Sequence, residues 1–190
     1  MVTVHRETKE TKIECEIDLN GCGNYKINTK IGFFDHMLEA LSKHSGIDIR
    51  LNCDGDTHID FHHSVEDCGI VLGKALKEAI FPIDQVERYA NAIVVMDEAA
   101  VECAIDLSNR PFLVYDIDVL GKVGDFDVEL ANEFFAALCA NGGFTCHIVM
   151  KRGKNKHHIL EACFKSFAVS LRRALMKNEK LGVPSTKGIL

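Results

Sequence analysis

The stretch ECEIDLN at residues 14–20 returns almost unchanged as ECAIDLS at residues 102–108, an offset of 88 residues. Two further pairs follow in the same order: HHSVEDCGIVLGKAL at 62–76 with HHILEACFKSFAVSL at 157–171, and FFDHMLEALSKHSG at 33–46 with LANEFFAALCANGG at 130–143. Their offsets are 95 and 97 residues. Nearly constant offsets indicate two copies of one structural plan, and two copies are too few for a solenoid.

Hydrophobic periodicity predicts similar elements in both halves. In the first half it predicts a strand over 11–19 that forms a hairpin with 25–31, a helix over 33–44, a strand over 47–53 and a helix over 62–80. In the second half it predicts strands near 90–96, 101–107 and 112–119, a helix over 127–141, a strand over 144–151 and a helix over 156–177.

These elements predict an α+β fold made of a duplicated two-half domain. Each half is expected to be an antiparallel-type sheet with two helices on one face, because packing helices between the sheets buries both apolar faces. We therefore expect residues 1–190 to form a single domain of two pseudo-repeats, about 1–84 and 85–180, with a functional C-terminal tail at 181–190.

The composition is that of an ordinary soluble protein, with 47% hydrophobic and 26% charged residues. The net charge of −6 provides no global basic field for nucleic acid. The eight cysteines are scattered and form no CxxC pair, so we expect reduced thiols rather than a disulfide framework. No run approaches the roughly 20 apolar residues of a membrane span. These features predict a soluble protein of the cytoplasm.

Two HHxxE motifs carry the clearest chemical signal. In the motif at 62–66, His62 and Glu66 lie four residues apart, so on a helix they can bind one ion from the same face. His63 is rotated by roughly 100° and can reach another ion. The motif at 157–161 repeats the pattern. Repetition at equivalent places favours a metal centre over structural histidines, and suits two metal sites better than one.

Two further histidines can complete such sites. His36, in FFDHML, and His147, in FTCHIVM, would each add an imidazole to the ligands of the motifs, the second of which contains His157, His158 and Glu161. Each also has a structural interpretation, as a packing residue at a helix start or as an exposed strand residue. Imidazole with carboxylate suits Mn, Fe, Zn or Ni, and the sequence does not choose among them.

Residues that could bind an anion are scattered along the chain. The candidates are Arg88, Arg110, Lys165, Ser185 and Lys187. Each is a solvated surface residue by default, and only their convergence would make an anion site.

Taken together, FFDHML, HIDFHHSVED, MDEA, DLSNRP, NKHHILEACFKSFA and the terminal PSTKG resemble the imidazoleglycerol-phosphate dehydratase family of histidine biosynthesis. The resemblance runs nearly end to end. It implies a ribosomal protein S5 domain 2-like fold, two Mn²⁺ per active site, and a homo-oligomer of 24 subunits built from trimers with active sites between subunits.

The resemblance also implies roles for residues. One ion would be bound by His36, His62, Glu66 and His158, and the other by His63, His147, His157 and Glu161. The substrate phosphate would be bound by Arg88, Arg110, Lys165, Ser185 and Lys187. Glu10 resembles the acidic residue that closes over substrate, and Asp97 resembles an acid of the family's pocket. The expected catalytic residues are Glu161, Glu10 and Asp97.

Two positions depart from the family pattern. Ala40 stands where the family usually has a glutamine, which puts one contact to substrate or metal-bound water in doubt. Phe61 stands where an acid is common, beside Asp60. No phosphatase domain is attached, so the resemblance is to the monofunctional form.

The implied reaction is the metal-dependent dehydration of D-erythro-imidazoleglycerol phosphate to imidazole-acetol phosphate by a carbon–oxygen lyase. We expect a metal-bound imidazolate and a diazafulvene intermediate, with Glu161 or Glu10 moving the carbon proton. Two other classes are weaker candidates. A dinuclear metallohydrolase would use the same ligands to activate water, and a structural shell would use the motifs only to join subunits.

Overall fold

The computed structural model describes residues 1–189, and Leu190, the last residue of the predicted tail, lies outside them. The strands in this range are β1 (Val2–Glu7), β2 (Thr11–Asp18), β3 (Tyr25–Asn28), β4 (Asp48–Gly55), β5 (Tyr89–Met96), β6 (Ala99–Asp106), β7 (Phe112–Asp116), β8 (Lys122–Val123), β9 (Phe126–Asp127) and β10 (Thr145–Arg152). The helices are α1 (Gly32–Ser45), α2 (His62–Ile80), α3 (Leu130–Gly142) and α4 (Lys156–Ala174).

The two halves form two sheets of the same topology. The first sheet has the order β1-β2-β4-β3 and the second has the order β5-β6-β10-β7. In each sheet two of the three strand pairs are antiparallel, and the last pair, β3 with β4 or β7 with β10, is parallel. The predicted α+β fold with a duplicated plan is confirmed.

One predicted element pair is wrong. The hairpin between 11–19 and 25–31 does not form, because β1 and β4 occupy both edges of β2. The intervening turn instead binds the start of β4, where Asp48 Oδ1 accepts hydrogen bonds from the backbone N–H of Cys22 (2.9 Å) and Asn24 (2.7 Å). Strand β1 was not predicted from the sequence, because it is a half-buried edge strand whose pairing with β2 is a tertiary contact.

The four helices lie between the sheets in two pairs. Helix α2 packs against α3 and the first sheet, and α4 packs against α1 and the second sheet. Exchanging the two halves converts the α1–α4 pair into the α3–α2 pair, so the packing has pseudo-twofold symmetry. The buried residues of both halves form one continuous core, as the predicted helix-between-sheets packing requires.

Small residues let α2 and α3 approach closely. A Cβ placed on Gly69 would lie 2.7 Å from the carbonyl oxygen of Phe134, and one on Gly73 would lie 2.7 Å from that of Leu138. No real side chain tolerates such distances without movement of the backbone. Glycine is therefore required here by packing rather than by backbone conformation.

The cysteines behave as small apolar residues. All eight are free, and seven are buried, with Cys22 exposed. Burial raises the pKa of the Cys15 thiol to about 12, with a smaller contribution from Glu16. Buried thiols of this kind stay protonated and unreactive.

Both motif helices begin at their histidines. His62 is the first residue of α2, and His157 is the second residue of α4. Helix α4 ends at Ala174 rather than at the predicted residue 177, because Lys177 forms a bridge with Val86. Helix α3 begins at Leu130 rather than at residue 127, because the preceding residues form the small β8–β9 ladder.

Candidate metal centre and phosphate pocket

The second HHxxE motif occupies the first turns of α4. Asn155 is the N-cap, and its side-chain oxygen accepts hydrogen bonds from the backbone N–H of His157 at 3.0 Å and of His158 at 3.5 Å. Such a cap satisfies N–H groups that have no partner within the helix. It fixes the point at which the helix starts, and with it the directions of both histidines.

Helix α1 brings His36 to this motif. Glu161 Oε2 lies 3.1 Å from His157 Nε2 and 3.5 Å from His36 Nε2. On its other oxygen Glu161 pairs with Lys165 Nζ at 2.5 Å. Two imidazoles and a carboxylate thus converge on one point from two helices that are distant in sequence.

The Glu161 carboxylate is ionised despite being nearly buried. Burial pushes its pKa upward, but Lys165 and then His36 and His157 more than offset this, so the pKa lies below its ordinary value. An ionised carboxylate beside two imidazoles is a ligand set for a divalent cation.

These three side chains fit around one divalent transition-metal ion. Their ligand atoms all lie within 4.8 Å of one another, and His36, His157 and Glu161 are the one such group of three among residues 1–189. Imidazole nitrogen with carboxylate oxygen is the donor set expected for Mn, Fe or Zn. The ring of Phe33 stands edge-on to the His157 ring, with centroids 5.2 Å apart, and provides an apolar wall.

The first motif lies at the start of α2 and is more open. His62 Nε2 is 3.9 Å from Glu66 Oε2, and both side chains are about half exposed. His63 turns its Nδ1 to Asp56 at 3.0 Å and its Nε2 towards Glu10 Oε1 at 3.9 Å. The hydrogen bond with Asp56 raises the pKa of His63.

His158 has a comparable environment. Its Nδ1 lies 2.8 Å from Glu98 Oε2, and its Nε2 lies 4.0 Å from Asp97 Oδ2. The His158 contact and backbone N–H groups of residues 154 and 155 lower the pKa of Glu98 to about 2. Asp97 itself is 82% exposed.

A separate pocket holds most of the predicted phosphate ligands. It has a volume of about 440 Å³ and is lined by Arg88, Tyr89, Ser108, Asn109, Arg110, Ser185, Thr186, Lys187 and Ile189. Lys165 does not line it and lies instead at Glu161. Four of the five predicted anion ligands therefore converge in one chain, and the fifth belongs to the metal cluster.

Arg88 and Arg110 play different parts in this pocket. Arg88 is buried, pairs with Asp106 at 2.7 Å through Nε, and donates a hydrogen bond from Nη1 to Pro184 O at 2.7 Å. It thereby ties the tail to the sheet. The Arg110 side chain is 70% exposed, with its Nη2 3.7 Å from Asp106 Oδ2, and is free to meet a ligand.

The pocket and the metal cluster lie at opposite ends of α4. The backbone N–H of Arg88 donates to the carbonyl of Ala174, the last residue of α4, at 2.9 Å. At a rise of about 1.5 Å per residue, Ala174 is roughly 25 Å from His157. His147 is exposed on β10 and belongs to neither group. Within one chain, the predicted site residues therefore do not form a single site.

Comparison with known proteins identifies the family. The model of the family described as imidazoleglycerol-phosphate dehydratase matches residues 29–171. This chain belongs to the imidazoleglycerol-phosphate dehydratase family. It is 72% identical to the imidazoleglycerol-phosphate dehydratase of Aliarcobacter butzleri and 63% identical to that of Campylobacter fetus, each over 190 residues and 100% of both chains.

Solved structures agree with this family membership. The dehydratase of Staphylococcus aureus superposes with a TM-score of 0.82 at 36% identity, covering 93% of this chain and 99% of that one. The Pyrococcus furiosus structure gives a TM-score of 0.86 at 38% identity, covering 98% and 100%. As a member of the dehydratase family, the chain is a hydro-lyase of histidine biosynthesis. None of the helices described for residues 1–189 combines the length and apolarity needed to cross a membrane.

The departures from the dehydratase pattern have clear positions. Ala40 is buried on α1, one turn after His36, so a longer side chain there would point along the face that carries the histidine. Phe61 precedes α2 and lines a cavity of about 260 Å³ together with Phe33 and Phe126.

Several residues around the candidate site were not predicted from the sequence. Asp56 and Glu98 contact motif histidines, and Phe33 packs on His157. Asn155 had a readable signal, because an asparagine directly before a helical run is a common N-cap. Asp56 and Glu98 lie in loops, where periodicity carries no information about the partner.

Proposed function

We propose that the chain dehydrates D-erythro-imidazoleglycerol phosphate to imidazole-acetol phosphate with the help of two divalent metal ions, for which the family resemblance suggests Mn²⁺. The observation that carries the metal proposal is the convergence of His36, His157 and Glu161 within 4.8 Å. Family membership supports the dehydration itself. The cytoplasmic location remains a prediction.

The ligand partition implied by the resemblance differs from the grouping in one chain. It assigned His36 to the ion of His62, whereas His36 lies beside His157 and Glu161 of the same chain. Because Glu161 Oε2 faces both histidines, we propose that His36 would bind at the edge of the ion that Glu161 binds. The set of eight proposed ligands is unchanged by this.

We further propose that active sites form between copies of the chain. The phosphate pocket is roughly 25 Å along α4 from the metal cluster, which is much longer than a small phosphate ester. A second copy that places its α4 start near the first copy's pocket and His147 would join the two half-sites. This arrangement supports a homo-oligomer, and 24 subunits remain the prediction.

The substrate poses a specific chemical problem. It must lose a hydroxyl from the carbon beside the imidazole ring and a proton from the next carbon, and no carbonyl acidifies that proton. Ions bound by the histidines and glutamates would supply Lewis acidity that favours the deprotonated ring. The hydroxyl would then leave as water with the proton given up by the ring, which would give a diazafulvene. Transfer of the carbon proton to the ring nitrogen would give an enol that tautomerises to the ketone.

Different residues of the chain would bind the phosphate, bind the metal ions and move the carbon proton. Arg110, Ser185 and Lys187 are free to bind the phosphate and so fix the substrate's orientation. Glu161 is committed to Lys165, His36 and His157, which suits a ligand better than a base. Glu10 is exposed on the β1–β2 turn, 3.9 Å from His63 Nε2. We therefore favour Glu10 as the group that moves the carbon proton, with Asp97 as the alternative.

One assay tests this function. The protein is stripped of metal, reloaded with Mn²⁺ and supplied with imidazoleglycerol phosphate, and formation of the ketone is followed. We expect ketone only after reloading. Ketone formation by fully stripped protein would contradict the metal requirement. Release of inorganic phosphate in place of ketone would favour a hydrolase, and assembly without either product would favour a structural shell.

A further inference from the structure

The second histidine of each HHxxE motif is held from one side by a carboxylate outside the motif. Asp56 lies 3.0 and 3.2 Å from His63 Nδ1, and Glu98 lies 2.8 Å from His158 Nδ1. An ionised carboxylate only accepts hydrogen bonds. In the neutral ring the proton therefore sits on Nδ1, and the lone pair is on Nε2.

The first histidines are arranged differently. Their Nε2 atoms face the glutamate of their own motif: His157 Nε2 lies 3.1 Å from Glu161 Oε2, within hydrogen-bond distance, and His62 Nε2 lies 3.9 Å from Glu66 Oε2, beyond it. In the second histidines Nε2 faces an acidic side chain only at 3.9 Å (Glu10) or 4.0 Å (Asp97), too far for a hydrogen bond. The Nε2 atoms of His63 and His158 are thus left available to a metal ion.

Both carboxylates are themselves fixed. Glu98 Oε1 accepts hydrogen bonds from the backbone N–H of Lys154 at 3.1 Å and of Asn155 at 2.7 Å, and Asn155 caps α4. The Asp56 side chain is 14% exposed, and its backbone N–H donates to Glu10 O at 3.1 Å. Each carboxylate therefore presents a rigid acceptor to its histidine.

The two contacts are not copies inherited from the duplication. The offset of 88 residues that relates β2 to β6 makes Glu10 the counterpart of Glu98, yet Glu10 faces the opposite nitrogen of its histidine. The offset of 97 residues that relates β4 to β10 makes Gly153 the counterpart of Asp56. The halves thus reach the same Nδ1 contact from non-equivalent positions, which points to a requirement shared by both histidines.

We propose that Asp56 and Glu98 are positioning residues that hold His63 and His158 as Nδ1–H tautomers and present Nε2 to the metal ions. The inference rests on the proposed function, because it assigns the ligand atom within that metal centre. A histidine whose distal N–H is fixed by a carboxylate is a more basic and better oriented ligand.

The two positions call for different substitutions. In Glu98→Gln one of two acceptor oxygens becomes a donor, so either the backbone N–H groups or His158 Nδ1 lose their acceptor. An amide N–H facing Nδ1 would drive the proton of His158 to Nε2. Asp56→Asn can still present its oxygen to His63, whereas Asp56→Ala cannot. Glu102→Gln, which changes a carboxylate paired with Lys151 on the second sheet, is the matched control.

Two readouts are needed, on the full-length protein. Magic-angle-spinning NMR of metal-free protein with ¹⁵N-labelled histidine, at alkaline pH, reports which ring nitrogen carries the proton. Titration with Mn²⁺ alone gives the affinity of each ion. We expect Glu98→Gln and Asp56→Ala each to lose one Nδ1–H signal. Each should also lower the affinity for one Mn²⁺ ion by about 10- to 100-fold. Asp56→Asn should keep the Nδ1–H signal of His63, and the control Glu102→Gln should match the wild type in both readouts.

Unchanged tautomers with Mn²⁺ affinities within about threefold of wild type would overturn the proposal. The failure of the proposed function is distinguishable from this result. If the wild type makes no ketone but the two variants still shift the tautomer and the Mn²⁺ affinity, the positioning role stands and the catalytic assignment fails. If the wild type makes ketone but the variants change neither the tautomer nor the Mn²⁺ affinity, the positioning role is wrong and the proposed function stands.

Discussion

His36 Nε2 on α1 lies 3.5 Å from Glu161 Oε2 on α4, so the first half of the chain supplies a side chain to the metal motif of the second half. The contact exists because α1 packs against α4 between the sheets. The candidate metal centre is consequently a product of the duplicated fold, and not of either half alone.

Replacing Glu161 tests the metal cluster. Glu161→Gln keeps the shape of the side chain but removes the charge that His36, His157 and Lys165 share. We expect the affinity for one Mn²⁺ to fall by more than the 10- to 100-fold typical of losing an outer partner, and turnover to fall with it. Titration with Mn²⁺ and the ketone assay measure these effects.

Glu78→Gln, on the exposed side of α2, is the control and should bind Mn²⁺ as the wild type does. Full Mn²⁺ stoichiometry and normal affinity in Glu161→Gln would remove Glu161 from the proposed ligands.

The phosphate pocket predicts a defect in binding when its exposed arginine is removed. Arg110→Ala deletes a charged donor whose hydrogen bonds are typically worth about 1.5–3 kcal/mol, or roughly 10- to 100-fold in KM. Because the phosphate is remote from the reacting carbons, most of the effect should fall on KM. Steady-state kinetics measures this KM effect, and Lys180→Ala is the control for a general loss of positive charge. An unchanged KM in Arg110→Ala would mean that the phosphate binds elsewhere.

The close approach of α2 and α3 predicts a stability defect without a chemical one. A methyl group at Gly73 would lie 2.7 Å from Leu138 O and 3.0 Å from Asn141 Cβ. Gly73→Ala should therefore cost about 1–3 kcal/mol and lower the Tm by roughly 2 to 12 °C. Gly32→Ala, at the start of α1, meets no atom within 4 Å and should leave the Tm unchanged or raise it slightly. Equal Tm values for the two variants would argue against the described helix packing.

Acid should weaken the turn that replaces the expected hairpin. Hydrogen bonds from Asn24 and Cys22 hold the pKa of Asp48 below its ordinary value of 3.8. A lowered pKa in the folded state means that Asp48 stabilises the fold above pH 3.8 and that this contribution is lost as pH falls through the folded pKa. Denaturation midpoints measured down to acidic pH should fall less steeply below pH 4 for Asp48→Asn than for the wild type. Identical slopes would contradict the assignment.

The sequence predicts helices and motifs well because their signals are local. The alternation over β2 and the period of α2 and α4 follow from neighbouring residues, and the duplication doubles each signal. The pairing of β3 with β4 was not predicted, because it depends on the side chain of Asp48 reaching back to Asn24.

The same distinction applies to the candidate site, where local spacing predicts some residues and long-range contacts place the others. His62, Glu66, His157 and Glu161 could be recognised from spacing within one helix. The placement of His36 beside Glu161, and of Glu98 beside His158, depends on contacts between segments far apart in the chain. Periodicity cannot report such contacts, because it describes only one element at a time.

We propose that each active site combines the metal half-site of one copy with the phosphate half-site of another. The decisive measurement uses mixed assemblies of Glu161→Gln and Arg110→Ala, assayed at a substrate concentration below the wild-type KM, where each variant alone should make little ketone. Reassembled from an equal mixture, about a quarter of the sites would join two intact halves, and ketone formation should return to about that fraction of wild type. Mixed assemblies verified by mass spectrometry that form no ketone at any ratio would contradict the claim.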